Sequence, residues 1–327
     1  MNLLSLGIIL LKLNKLLKEV VQLKKIQLVA PAGNIEKLSA SINAGADTVF
    51  LGGKLISIKA GTHNFSDSEL IEAIKLAEKK GVKLQVLLNA VPHNEEIKKL
   101  PEYIKFLQEI GIKEVVVSDM GVFQCVKEYS DIDIAVATHS SNTNWRSVKM
   151  WKELGAKKVI LDRDLSIEGV AEIRKKVPDI ELELFVHGAI LLAISGRKIL
   201  NSYMEEHKLE KNSQSENYSL VEETRPGEYM PIYEDEYGTY IYGARDLCAI
   251  ESLEKLLALG IDSIRVEGGM KDTQYLNTVL KVYREAIDLY EKDEYLYKDK
   301  WKEELQLTTE LPFVNWYEES FEKEVKN

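Results

Sequence analysis

Hydrophobic and polar positions along this chain repeat at two periods. Short runs rich in Val, Ile and Leu, bounded by Gly, Asp or Asn, predict buried strands, and amphipathic stretches of helical spacing separate them. Strands are predicted at 26–32 (IQLVAPA), 48–53, 83–90, 114–119, 133–139, 158–163, 181–187 and 263–268. The helices between them are punctuated: DSELIEAIKLAEKKG opens on Asp67 and closes on Gly81, two later helices close on Gly111 and Gly155, and SIEGVAEIRKKV starts at Ser166 and stops before Pro178. Eight such units with near-continuous apolar strands predict an α/β fold, a (β/α)8 TIM-like barrel. An open doubly wound sheet is the alternative. No GxGxxG or Walker motif follows a strand, which removes the usual nucleotide sites.

One unit breaks the rhythm. After the seventh strand the apolar run continues as AILLAI, and about 55 residues (191–245) separate the strand from the next helix, far beyond an ordinary βα loop. Turn signals at Pro226–Gly227 and Gly238, with alternation in GTYIYG, predict a β-hairpin inside this insertion. The barrel with its insertion spans 26–290. Ahead of it, Ile9, Leu13, Leu16, Leu17 and Val20 predict an amphipathic N-terminal helix over 1–25 that packs on the domain. Lys12, Asn14 and Lys15 interrupt its apolar run too early for a membrane span, and no secretory signal pattern is present. The acidic, aromatic stretch 291–327 predicts a C-terminal helix and an irregular tail.

Charge narrows the partners. With 43 Lys and Arg against 53 Asp and Glu, the net charge of −10 leaves no broad basic face for nucleic acid, so any such contact is local or made by a partner. Cys125 and Cys248 both fall in apolar helical contexts and read as free thiols, too few for a disulfide framework or a cysteine metal site. A cytoplasmic protein without stable membrane insertion is expected.

Chemistry in such a barrel belongs at the C-terminal ends of the strands. The polar residues predicted there are Asn89, Asp119, Thr138, His139, Asp162, Arg163, His187 and Glu267, with His63 and His93 in adjoining loops. His187, Glu267, Asp162 and Arg163 are the candidate catalytic groups; Asn89, His93, Asp119, His139 and Arg197 are candidate pocket residues. Histidines crowding one barrel mouth suit a metal site. No HxH pair ends the first strand, however, so loop capping and pocket lining are the preferred roles and no metal is expected. The DRD at 162–164 fits either an internal ion pair with a helix cap or a catalytic group.

The segments LVAPAGNIEKLSASINAGADTVFLGG, AGTHNFS, VLLNAVPHNEEIKKLPEYIKFLQEIG, VSDMGVF, ELELFVHGA, SGR and RPGEYMPIYEDEYGTYIYGARDLC together resemble the collagenase-like peptidase family over about 26–290. That family holds peptidases of unknown mechanism, prephenate-dependent tRNA wobble-uridine hydroxylation proteins and ubiquinone-pathway hydroxylation proteins. The resemblance implies a barrel-like fold. Glu183, Phe185, His187, Gly188, Ser195, Gly196 and Arg197 match the family signature. Leu191 and Lys198 stand where its two cysteines belong, and no cysteine lies between Lys211 and Glu223, where a second pair is usual. In hydroxylating members four such cysteines hold an iron–sulfur cluster, which needs thiolates; the resemblance therefore implies no cofactor here. The AILLAI run is expected to fill the vacated place with aliphatic side chains, with Leu191 buried. Lys59, the ATHSS at 137–141 and Gly269 also depart from the family's RAG, STQAN and EGRMK.

Three functions follow. A cluster-less auxiliary subunit would pair with a cluster-bearing paralogue and support tRNA wobble-uridine hydroxylation, meeting tRNA at most indirectly. A peptidase would need a nucleophile and base, and only Ser195 with His187 offers itself. A small-molecule enzyme or binder would use His139, Arg163, His187 and Glu267 at the barrel mouth.

Overall fold

In the computed structural model the described residues are 25–58, 63–137, 141–209 and 218–318. The expected helix at 1–25 lies almost wholly outside them, as do Lys59, Thr138 and His139. Strands β1 (Gln27–Pro31), β2 (Thr48–Gly52), β3 (Lys83–Leu88), β4 (Glu114–Val117), β5 (Asp133–Val136), β6 (Lys158–Ile160), β7 (Glu181–Ser195) and β11 (Ser263–Val266) pair in parallel, and β11 pairs with both β1 and β7. The sheet therefore closes into the expected eight-stranded barrel. Helices α1 (Ile35–Asn43), α2 (Asp67–Lys80), α3 (Asn94–Glu109), α4 (Met120–Tyr129), α5 (Trp145–Leu154) and α6 (Ile167–Lys176) alternate with the strands. Further on come α7 (Ile199–Glu206), α8 (Leu253–Ala258), α9 (Thr273–Glu291) and α10 (Asp299–Gln306). No helix among the described residues is long and apolar enough to cross a membrane.

Helix α2 is capped one residue earlier than expected. Ser66 accepts from the Glu69 amide while Glu69 binds back to the Ser66 amide, a reciprocal box that Asp67 cannot supply. Gly81 and Gly155 end α2 and α5 in the left-handed conformation that their positions require.

Strand alternation sorts the side chains into two cores. Leu28, Val49, Val86, Val115, Ile134, Val159, Leu184 and Ile264 face outward under the helices. Val116, Ala135, Ala137, Ile160 and Phe185 form a second, smaller cluster inside the barrel. Beneath that cluster the interior is charged. Arg265 on β11 donates to Glu183 on β7 and, at 2.8 Å, to Gln85 on β3. Lys158 on β6 lies 3.4 Å from Glu183 and 3.1 Å from Glu114 on β4. Ser263 donates to Glu183 at 2.8 Å. Burial alone would raise the Glu183 carboxyl, but Arg265 and Lys158 overturn that and hold it below its ordinary value. Burial would likewise lower the Lys158 ammonium, and Glu183 with Glu114 raises it instead. Glu114, desolvated and only partly compensated by Lys158, is pushed up.

The insertion differs from expectation at its base. Strand β7 does not end at His187 but continues to Ser195, because β10 (Gly238–Cys248) returns antiparallel beside it, pairing Cys248 with His187 and Thr239 with Ser195. Strands β8 (Tyr218–Val221) and β9 (Tyr229–Asp235) extend that sheet outward. Helix α7 packs on it, with Glu234 accepting from the Leu200 amide at 3.0 Å. The segment expected as an irregular tail also carries order: β12 (Phe313–Val314) pairs in parallel with β10.

Two substitutions test this frame. Glu183→Gln leaves Arg265 and Lys158 buried with one carboxylate fewer, and a loss of about 3–5 kcal/mol in urea unfolding is expected; a loss below about 1 kcal/mol would show that the interior rehydrates. Gly188 holds φ +107°, and a Cβ there would run into the Glu267 carbonyl. Gly188→Ala should cost about 2–4 kcal/mol, and an unchanged melting temperature would refute the close approach.

Candidate functional site

The C-terminal end of the barrel holds a cavity of about 130 Å³ above the charged floor. Phe50 from β2, Phe185 from β7, Arg265 from β11, Arg163 from the turn after β6, Glu267 from the turn after β11 and Tyr242 from β10 line it. Strand ends bring these groups together because inward positions of parallel staves converge at the mouth. The Arg265 guanidinium lies 4.0 Å over the Phe50 ring, and Arg163 lies 4.6 Å over Phe185. Arg163 is 7% exposed, and its Nη1 has no hydrogen-bond partner among the described residues. Burial raises the Glu267 carboxyl above its ordinary range, since Arg265 and Arg163 offset the desolvation only in part. The site thus offers a buried guanidinium with spare donors beside a carboxyl that holds its proton readily, a pairing suited to a small polar ligand.

Of the candidate catalytic and pocket residues named from the sequence, Glu267, Arg163 and Asn89 line this cavity. Asn89 Oδ1 also accepts from the Ile58 amide at 3.3 Å, fixing the loop after β2. Exposed His63 stands at the rim, 3.8 Å from Glu69. Asp162 belongs to a neighbouring cavity of about 320 Å³ that shares Arg163 and Leu191. Its Oδ1 accepts from the Asp164 amide at 3.2 Å, so it organises the turn. Asp119 caps α4, accepting from the Val122 amide at 3.0 Å. His93 is the exposed N-cap of α3. Arg197 lies on the exposed turn after β7, where its carbonyl accepts from Thr239. None of the last three lines either cavity.

His187 is displaced more decisively. Phe185 pairs with Arg265, yet His187 pairs with the next residue, Val266, so Val186 is one residue in excess and the alternation reverses. The imidazole consequently points away from the mouth, into a box of Tyr275 and Tyr283 from α9 and Phe313 from β12, with ring centroids 5.4–6.0 Å away. Nor can Ser195 serve it. The two stand eight residues apart along one continuous strand, roughly 26 Å. Leu191, expected in aliphatic packing, is half-buried on the wall between the two cavities, and its neighbour Ile190 supplies the buried packing instead. Phe50, Tyr242 and Arg265 were not anticipated in the sequence. The available signal was the pattern of polar residues at alternate positions within greasy strands: Gln85, Lys158, Glu183 and Arg265.

A sequence model of peptidase family U32 matches residues 33–326. The tRNA hydroxylation protein P1 of Bacillus subtilis is 35% identical over 289 residues, 86% of this chain and 68% of that protein. The tRNA hydroxylation protein P2 of the same organism is 32% identical over 292 residues, 87% of this chain and 94% of that protein. A collagenase of Porphyromonas gingivalis is 26% identical over 309 residues, 89% of this chain and 73% of that protein.

The placement of His187 has a pH consequence. Burial, with a smaller contribution from Lys271, lowers its pKa from 6.5 to about 3. Below pH 6.5 the unfolded chain takes up a proton that the folded chain refuses until about pH 3. Stability contributed by the neutral imidazole is thus complete above 6.5 and declines as the pH falls through that window. In His187→Phe, which keeps a ring against Tyr275, Tyr283 and Phe313, the fall in melting temperature between about pH 7 and pH 5 should shrink. An identical fall in wild type and variant would mean the histidine is hydrated.

Proposed function

Because the chain belongs to peptidase family U32, we propose that it serves tRNA hydroxylation in the cytoplasm as a subunit that carries no iron–sulfur cluster and works beside a four-cysteine member of the family. The observation that carries this is the donor set. Leu191 offers an alkyl group on the cavity wall, and Lys198 an exposed ammonium on the turn that opens α7. Neither is a ligand for iron, and the stretch 211–223 has no thiol. Cys248 is buried beside Tyr283, and its thiol is pushed up to about 11 by desolvation, the opposite of a metal-binding thiolate. Cys125 lies on α4.

The names of the two Bacillus subtilis relatives support a place in tRNA hydroxylation. Charge supports an indirect contact with tRNA: within 191–245 ten Asp and Glu face six Lys and Arg, a balance that repels a phosphate backbone. The collagenase relative favours peptide hydrolysis as the second function. Against it, no Ser, Thr or Cys is among the described residues lining the main cavity, and His187 faces elsewhere.

Three measurements decide. Anaerobic reconstitution followed by iron and sulfide assay should leave the protein colourless; a stoichiometric cluster would sink the cluster-free assignment. Deleting the gene should lower hydroxylated wobble uridine in bulk tRNA, read by nucleoside mass spectrometry. Unchanged nucleosides together with gelatin cleavage by the pure protein would hand the function to the peptidase.

A further inference from the structure

The sheet of the insertion ends on an open edge. Strand β8 pairs with β9 on one side, and no strand among the described residues pairs with its other side. Ser219, Leu220 and Val221 are all exposed, Leu220 at 41% and Val221 at 52%, and Tyr229, which pairs with Val221, is 62% exposed. Proteins ordinarily guard such an edge with lysine, proline or a bulge. Here β8 carries none, and its pairing with β9 runs without a register shift. Its backbone is also turned the right way. Ser219 stands opposite Pro231, which has no N–H, so the two form a non-hydrogen-bonded pair and the Ser219 amide points to the open side. Val221, two residues on, points the same way.

We propose that the β8 edge is the docking strand of this subunit, and that it pairs with a basic strand of the four-cysteine family member; this rests on the subunit function above. Charge selects the occupant. Each copy carries −10, so a second copy would bring charge of the same sign to an edge that runs on into exposed Glu223. Like charges brought together weaken a strand pair. A strand bearing Lys or Arg beside an apolar centre meets Leu220, Val221 and Tyr229 with its apolar residues and exposed Glu223 with its charges, Arg225 already pairing with Glu222 at 2.8 Å. Backbone pairing supplies affinity, and the alternating side chains supply selectivity.

The test uses the full chain co-expressed with the four-cysteine U32 member encoded in the same genome. Complex formation is read by size exclusion with light scattering, and affinity by calorimetry. Wild type should form a heterodimer that weakens as salt rises. Ser219→Pro removes an outward amide without touching the β9 ladder, and Val221→Lys sets a like charge against the basic strand. Each should weaken binding about tenfold or more, with melting temperatures within about 2 °C of wild type. Leu307→Lys, at the fully exposed end of α10, should leave binding unchanged. Full affinity in both folded edge variants would overturn the docking edge and leave the subunit function standing. No complex with wild type would overturn both. A wild-type homodimer that Ser219→Pro turns monomeric would make the occupant a second copy and overturn the choice of partner.

Discussion

Glu183 is the residue on which the barrel interior depends. It is fully buried, and its charge survives only because Arg265 and Lys158 face it from two other staves. Lys158 comes from the neighbouring stave β6 but Arg265 from the last stave, β11, so the carboxylate is fully solvated by protein only after the sheet has closed. Removing any one member strands a charge in an interior too narrow to hydrate it. The network also fixes the floor of the cavity: with Glu183 and Gln85 occupying its Nε and one terminal nitrogen, Arg265 is held flat over Phe50. The charged layer and the cavity at the mouth are consecutive storeys of one stack.

The second determinant is a single surplus residue. Were β7 regular, His187 would follow Glu183 and Phe185 into the barrel. Val186 shifts the register against β11, the histidine turns out under α9, and Glu267 is the acidic group left at the mouth. Gly188 then bends the chain where its lack of Cβ lets the Glu267 carbonyl come close. The same bend launches β7 into the insertion, so stave and hairpin arm are one strand. The histidine that resembles a catalytic group in the sequence lies buried among Tyr275, Tyr283 and Phe313.

The barrel was legible because each stave writes a short apolar run and each helix ends in a glycine or a cap. Strand positions agree within a few residues. The insertion was legible as a length anomaly and a hairpin, but not as an extension of β7, because an apolar run does not announce whether it is packed or paired. β10, 50 residues away, makes that choice. Candidate site residues fared according to how local their placement is. Arg163 and Glu267, set by the strand end itself, reach the cavity; His187 fails because a bulge is a relation between two strands. Arg265 was missed for the opposite reason, since an arginine within SIRVEG declares its inward aim only once the neighbouring stave is known.

Closure of the barrel also dictates an order of events during synthesis. The last stave, β11, joins β1 across more than two hundred residues of chain, and it follows the whole insertion in sequence. The hairpin sheet and α7 therefore emerge from the ribosome while the barrel is still an open, seven-stave sheet with two bare edges. Strand β7 is already committed to β6 over 181–183, and β10, which pairs with it from His187 onward, precedes β11 in sequence. Long-range pairing of this kind is slow, and the nascent chain spends that interval with the half-built charge layer wet and the Glu267 side of the mouth missing. The fold becomes a closed vessel in one late step, when the single stave bearing Arg265 brings in both the counter-ion of Glu183 and the rim of the cavity.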